Sequence, residues 1–154
     1  MTPIRNSAKA ILIRNGALLC TKNVGWRGDN FYLLPGGGQE HGETLTDALQ
    51  RECLEEIGAH VTIKSLRYIR DYIGKNHAFA ERHTGVHAVE FMFDCELLDE
   101  PNHTIAHNPD HNQTGLVWIP LNQLADFQLF PSTLKTLIQP TGELTGPVYF
   151  GDTN

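Results

Sequence analysis

Apolar residues recur along this chain with two different periods, and the change from one to the other outlines a fold. Residues 8–14 and Ala17–Val24 are apolar, β-prone runs separated by Asn15 and Gly16, a pair that favours a type I′ turn, so the chain is predicted to open with a hairpin. A Gly-rich turn over residues 25–30 leads into a short strand at residues 31–34, which the run Pro35, Gly36, Gly37, Gly38 is expected to end. From Thr44 the period becomes helical. Leu45, Ala48, Leu49, Cys53 and Ile57 fall near one face, with Thr44 as N-cap, Asp47 three residues on, and Gly58 as the C-terminal stop.

Strand character returns over Val61–Ile73, and the alternation of Val89, Phe91, Phe93, Cys95 and Leu97 predicts a half-buried strand. Residues 74–85 and 99–114 read as polar loops. A short strand follows at residues 116–119, then a helix from Pro131 through about Ile138, and a Gly/Pro-punctuated tail. A mixed sheet with helices packed against it, an α/β/α-type sandwich in the α/β (α+β) class, accounts for this order of elements, with residues 1–154 expected to form one domain.

Composition narrows the setting. Apolar residues make up 40% of the 154, enough for one core. The longest apolar runs are far short of the roughly 20 residues that cross a bilayer, and Arg5, Lys9 and Arg14 interrupt any secretory segment, so a cytoplasmic protein with no membrane partner is expected. Cys20, Cys53 and Cys95 are odd in number, share no CxxC spacing and sit in apolar surroundings, which predicts buried free thiols. The formal net charge of −6 disfavours long nucleic acid but suits a small phosphorylated substrate escorted by a cation.

The candidate chemistry lies on the predicted helix. At about 100° per residue, Glu52, Glu55 and Glu56 share one face. Like charges three and four apart, near a helix C-terminus, each oppose stability by a few tenths of a kcal/mol. A bare ExxEE usually marks a solvated face. Here a hard divalent cation would supply the missing compensation, since Mg²⁺ and Mn²⁺ take carboxylate oxygens and keep waters for a phosphate and a nucleophile. Arg51, four residues before Glu55, is placed to pair with it, and Gly36, Gly37 and Gly38 let backbone amides or carbonyls approach a metal or phosphate.

Gly37, Glu43 after five residues, and after seven more the run Arg51-Glu52-Cys53-Leu54-Glu55-Glu56-Ile57-Gly58-Ala59 match the box Gx5Ex7REUxEExGU at every fixed position. The segment resembles the Nudix hydrolases, with Cys53 and Ala59 as small residues at the bulky apolar positions. The resemblance implies a Nudix-type α/β/α sandwich and metal-dependent water attack on phosphorus in a nucleoside diphosphate linked to another group: a nucleoside or deoxynucleoside triphosphate, a nucleotide sugar or ADP-ribose. It implies metal binding by Glu52, Glu55, Glu56 and the Gly37 carbonyl, with one to three Mg²⁺ or Mn²⁺ ions. Glu52 or Glu56 stands as base, Arg51 as the orienting residue, and Glu43 as support at the helix start. Some relatives use a base outside the box, for which Glu81 and Glu90 are the candidates. Dimers are common in the family, which leaves a homodimer open.

Substrate recognition is expected on the loops. Trp26, Phe31, Tyr72, Phe79 and Trp118 are candidates for base stacking, and Arg27, Arg70, Lys75 and Arg82 for phosphate or distal contacts, although aromatics at strand ends more often belong to a core. His103, His107 and His111 stand four apart, but Pro101 and Pro109 argue against a helix, so a solvated loop is expected there. Two other readings of the same fold remain. A non-catalytic nucleotide sensor would be expected to lack a box carboxylate, and none is missing. An isoprenoid diphosphate isomerase would carry a further Cys/Glu and His pattern that is not evident.

Overall fold

A computed structural model describes residues 2–102 and 112–154. The strands are β1 (Arg5–Arg14), β2 (Ala17–Val24), β3 (Asn30–Leu33), β4 (Gly36–Gly38), β5 (Val61–Ile73), β6 (His87–Leu97), β7 (Gln113–Pro120), β8 (Leu129–Phe130) and β9 (Tyr149–Asp152). The helices are α1 (Leu45–Ile57), α2 (Ala80–His83) and α3 (Leu134–Leu137). The strands form one curled mixed sheet in the order β8-β3-β2-β1-β6-β5-β9, with β4 paired to β1 and β7 to β2. The pairs β1/β6, β3/β8 and β5/β9 are parallel. The α/β fold expected from the order of elements is present.

Side-chain alternation divides the core between the two faces of this sheet. Ala10 and Leu12 of β1, Leu19 of β2 and Trp118 of β7 pack with Leu49, Cys53 and Ile57 of α1. Their neighbours Ile11, Leu18, Cys20 and Ile119 pack on the opposite face with Leu121, Leu124, Leu134 and Leu137. The helical layer is thick on one side and thin on the other, because α2 and α3 are single turns. Cys20, Cys53 and Cys95 are all free and buried, as predicted, and burial pushes the Cys95 thiol up to about 12.

The opening hairpin, α1, β5 and β6 appear where the periodicity predicts them. Asn15 and Gly16 both take positive φ in the hairpin turn. Several elements differ from expectation. The glycines after β3 do more than end it: Gly36, Gly37 and Gly38 pair with Lys9, Ala8 and Ser7 of β1. Gly36 has φ +137°, and a Cβ there would lie 2.1 Å from the Ala8 carbonyl oxygen, so only glycine allows this approach.

The segment 74–85 is not a plain loop. It holds a 3-10 turn at Gly74–Asn76 and α2, and Gly74 N–H donates to the Val86 carbonyl at 2.9 Å to close it. The helix expected through Ile138 is only one turn, since Ile138 is taken into a β-bridge with Leu144, and Pro140 disfavours helical backbone just before it. The tail contributes β9, which Asp152 holds by accepting from Ile73 N–H at 2.9 Å, Asn76 Nδ2 at 2.8 Å and His77 Nε2 at 2.5 Å. Met92 of β6 is buried and Glu90 on the same face is largely covered, so the polar face of this strand is enclosed at its middle, while Glu96 farther along it stays exposed as a half-buried strand requires. The triad His103, His107 and His111 lies outside the described residues.

Leu49 is fully buried between α1 and the sheet. Leu49→Ala is expected to lower the unfolding free energy by about 2–5 kcal/mol in a urea titration. A loss well under 1 kcal/mol would contradict this account of how α1 is seated.

Candidate active site

α1 is fixed at both ends before its charged face is considered. The Thr44 hydroxyl accepts from Asp47 N–H at 3.1 Å, and the Asp47 carboxylate accepts from Thr44 N–H at 3.2 Å, a reciprocal N-terminal cap. Gly58 closes the C-terminus in the left-handed conformation at φ 63°, donating its N–H to Leu54. Ala48, Leu49, Cys53 and Ile57 face the sheet, and Glu52, Glu55 and Glu56 lie off that buried face, Glu52 and Glu56 beside the glycines of β4. The last turn carries no basic residue, so the charge that compensates these carboxylates must come from elsewhere.

Arg51 supplies it. Its Nε donates to Glu43 Oε2 at 2.8 Å and its NH2 to Glu43 Oε1 at 2.9 Å, a forked pair. NH2 also reaches the Gly38 carbonyl at 2.9 Å, and NH1 donates to Glu52 Oε1 at 2.9 Å. Glu55, the partner expected from helical spacing, is present but more distant at 3.5 Å. Glu43 displaces it as the main partner because it meets the guanidinium fork square on from the helix start. The hydrogen bonds from Arg51, then that from Glu40 N–H, hold the Glu43 carboxyl down to about 2, and Arg51 is raised in turn by the same contacts.

Glu52 and Glu56 open onto a cleft of about 320 Å³ whose walls include Gly36, Gly37 and Gly38. Gly36 N–H donates to Glu56 Oε2 at 3.3 Å. A Cβ on Gly37 would come within 2.5 Å of the Glu52 carboxylate, so the bare glycine makes room for it. Glu55 lies beside Arg51 and does not line this cleft. Among the described residues no three His, Cys, Asp or Glu groups converge closely enough to share one ion. The donor set still suits a hard divalent cation: two carboxylates and glycine backbone carbonyls border one small polar space.

Sequence reasoning missed the opposite wall. Arg5, Ser7 and Lys9 of β1 line the same cleft, as do Thr21, Asn23 and Gln113. The signal was the polar alternation 5, 7, 9 at a strand start. It has meaning only once β4 is known to run alongside.

A second cavity, of about 440 Å³, gathers most of the residues expected to recognise substrate: Trp26, Phe31, Tyr72, Phe79, Arg70 and Arg82, with Glu90, His83 and Phe130. Phe79 packs between Phe31 at 5.7 Å and Phe130 at 5.5 Å, centroid to centroid. One face of Tyr72 is stacked on His77 at 5.4 Å. Leu33 borders both cavities, and a narrow crevice bordered by Lys9, Leu33, Arg70 and Glu90 lies between them. Trp118 is elsewhere, beneath Arg14 at 4.6 Å, and Lys75 lines neither cavity. Arg27 lies over Trp26 at 4.5 Å and approaches Glu81 at 3.8 Å, both of them exposed.

The two outlying base candidates are differently placed. Glu81 borders neither cavity. Glu90 accepts from Arg70 Nε at 2.8 Å in a well-covered pair, and Arg70 also holds the Thr153 carbonyl. Burial alone would raise the Glu90 carboxyl, but the charges of Arg70 and Lys9 and the Arg70 hydrogen bond outweigh it and leave it below the ordinary range. A carboxylate so held is a weak proton acceptor.

The family model of the NUDIX domain matches residues 3–139. "Nucleoside triphosphatase NudI" of Enterobacter sp. (strain 638) is 30% identical over 134 residues, covering 84% of this chain and 91% of that protein. The Escherichia fergusonii protein of the same name is 31% identical over 132 residues, covering 82% and 89%. In structure, a NUDIX hydrolase from Nitrosomonas europaea superposes with a TM-score of 0.66 at 18% identity, covering 99% of this chain and 81% of that one.

The depressed Glu43 carboxyl has a pH consequence of definite sign. A carboxyl held at about 2 instead of its ordinary 4.5 contributes stability that is complete above about 4.5 and lost as pH falls toward 2. Glu43→Gln is expected to flatten the fall of Tm across that window relative to the parent. Parallel curves for the two proteins would show that the Arg51 contact does not stabilise the fold.

Proposed function

The chain belongs to the Nudix family, and from that premise we propose that it cleaves a diphosphate linkage of a nucleoside or deoxynucleoside triphosphate with the help of Mg²⁺ or Mn²⁺. It is a Nudix pyrophosphohydrolase acting on nucleotides; the metal and the triphosphate are the finer reading. The name of the relatives favours triphosphates over nucleotide sugars and ADP-ribose. The observation that carries the metal is the shared cleft of Glu52, Glu56 and the glycine backbone, braced through Arg51.

In this reading Glu52, Glu56 and the Gly37 carbonyl would hold the cation, with Glu55 beside them, for one to three ions in all. Such a cation neutralises diphosphate charge and lowers the pKa of water. Glu52 or Glu56 takes the proton from the attacking water. Arg51, tied to Glu43 and Gly38, keeps Glu52 and Glu55 in place, while Gly36 N–H steadies Glu56. Lys9 and Arg5, on the facing wall, meet phosphate oxygens. The nucleoside lies toward Phe31, Tyr72 and Phe79, with Arg82 and Trp26 at the rim and the Arg70–Glu90 pair as part of the wall.

This reading assigns the base to the helix and not to Glu90 or Glu81, since Glu90 pairs with Arg70 and Glu81 lies off the cleft. A sensor without activity is not favoured, because every box carboxylate is in place. A net charge of −6 suits a small nucleotide over long nucleic acid. Among the described residues no helix is long and apolar enough to cross a membrane. The reading takes the chain as a single domain in the cytoplasm and leaves a homodimer open.

Glu56→Gln is expected to lower turnover of the preferred triphosphate by about 10²-fold or more, with an unchanged circular dichroism spectrum. Parent-like turnover in the folded variant would remove Glu56 from the mechanism.

A further inference from the structure

His83, which lines the aromatic cavity, is held in place from several directions at once. It ends α2, where its N–H donates to the Phe79 carbonyl at 2.9 Å and its own carbonyl accepts from Val86 N–H at 2.9 Å. A Cβ on Gly74 would lie 2.0 Å from that carbonyl oxygen and 2.6 Å from the His83 Cβ, so only a glycine after β5 lets His83 come this close. Its ring packs T-shaped against Tyr72, with centroids 5.8 Å apart, and tilted against Phe79 at 5.7 Å. Nδ1 lies 2.8 Å from the Tyr72 hydroxyl, while Nε2 has no hydrogen-bond partner among the described residues.

The chemistry of this pair fixes where the ring carries its proton. Burial lowers the His83 imidazole from its ordinary value, so the ring is neutral at neutral pH, and burial raises the Tyr72 phenol, which keeps its proton. A neutral imidazole has one N–H and one bare nitrogen, and the bare nitrogen is a stronger acceptor than a phenol oxygen. Tyr72 therefore donates to Nδ1, and the proton of the ring sits on Nε2, as a donor without a partner. Arg82, over Trp26 at 4.9 Å, adds a second donor to the same cavity. The Glu90 carboxylate, which could have accepted, is taken by Arg70. The amides of Asn112 and Asn154 can donate or accept.

We propose that His83 selects the nucleobase, its Nε2–H donating to a carbonyl oxygen on the base edge, with Tyr72 as the positioning residue that fixes the tautomer; this rests on the nucleotide reading above. Guanine, hypoxanthine, cytosine, thymine and uracil each carry a carbonyl oxygen, and adenine carries none. The N1 and N7 acceptors of adenine flank its amino group, which sets N–H against N–H where a carbonyl would receive two donors. Substrates with a carbonyl base are therefore favoured over adenine nucleotides. The choice is made outside the motif of residues 37–59.

Hydrolysis of deoxyinosine and deoxyadenosine triphosphates by the full chain tests this, because the two bases share one ring system and differ in a carbonyl against an amino group at C6. The ratio of their kcat/KM values in one preparation does not depend on the fraction folded. The parent is expected to favour the inosine nucleotide by about 10-fold. His83→Phe, which keeps a ring against Phe79 but has no N–H, is expected to bring the ratio close to one. Tyr72→Phe is expected to reduce it by about 3-fold, whereas His83→Gln, which retains a side-chain N–H, keeps most of the parent's preference. A parent ratio near one, or an unchanged ratio in His83→Phe, overturns the proposal. If His83→Phe has no measurable turnover, an unchanged ratio in Tyr72→Phe overturns it instead. A parent that cleaves no nucleoside triphosphate removes the nucleotide reading itself, and is thereby distinguished from failure at His83 alone.

Discussion

The Arg51 guanidinium ties together pieces of chain that would otherwise have no reason to meet. Its fork closes on Glu43 ahead of α1, its NH2 holds the Gly38 carbonyl at the end of β4, and its NH1 holds Glu52 on its own helix. Three carboxylates near a helix C-terminus repel each other and oppose the dipole. One partly buried cation, anchored outside the helix, offsets that and orients Glu52 at the same time. The glycines belong to the same constraint, because Glu52 can lie against Gly37 only where there is no side chain.

From this joint the site divides into two parts with different chemistry. The polar cleft sets carboxylates on α1 against Lys9 and Arg5 on β1, which suits a charged phosphate chain and its counterion. The aromatic cavity beyond Leu33 suits a flat, weakly polar group. The carboxylate and glycine side of the first part follows from the motif, whereas its Arg5 and Lys9 side comes from β1. The second is assembled from β3, β5, β6, α2 and the C-terminal segment, so substrate preference is free to vary without touching the carboxylates.

What could be read from sequence was what is local. The hairpin, α1 with both caps, and β5 and β6 each carry their own period, and the box residues keep their spacing on one helix face. The short strands did not show themselves. β4, β8 and β9 have two to four residues each, and their partners are set by tertiary pairing. Arg5 and Lys9 read as interruptions of an apolar segment, when in fact they line the cleft together with Ser7. Glu90 read as a candidate base, but its cross-strand neighbour Arg70 makes it half of a covered ion pair. Gln113 lay in what read as loop, and its place on the cleft wall is a property of packing that no sequence pattern records.

The central claim is that the carboxylates of α1, with a divalent cation, direct water to phosphorus. Hydrolysis of nucleoside triphosphates in H₂¹⁸O, with Mg²⁺ or Mn²⁺ and products resolved by mass, tests it most directly. The account predicts that one ¹⁸O enters a single phosphorus-bearing product in each turnover, and that cleavage stops in EDTA. Cleavage that persists in EDTA, or products whose phosphate oxygens carry no label, would contradict it.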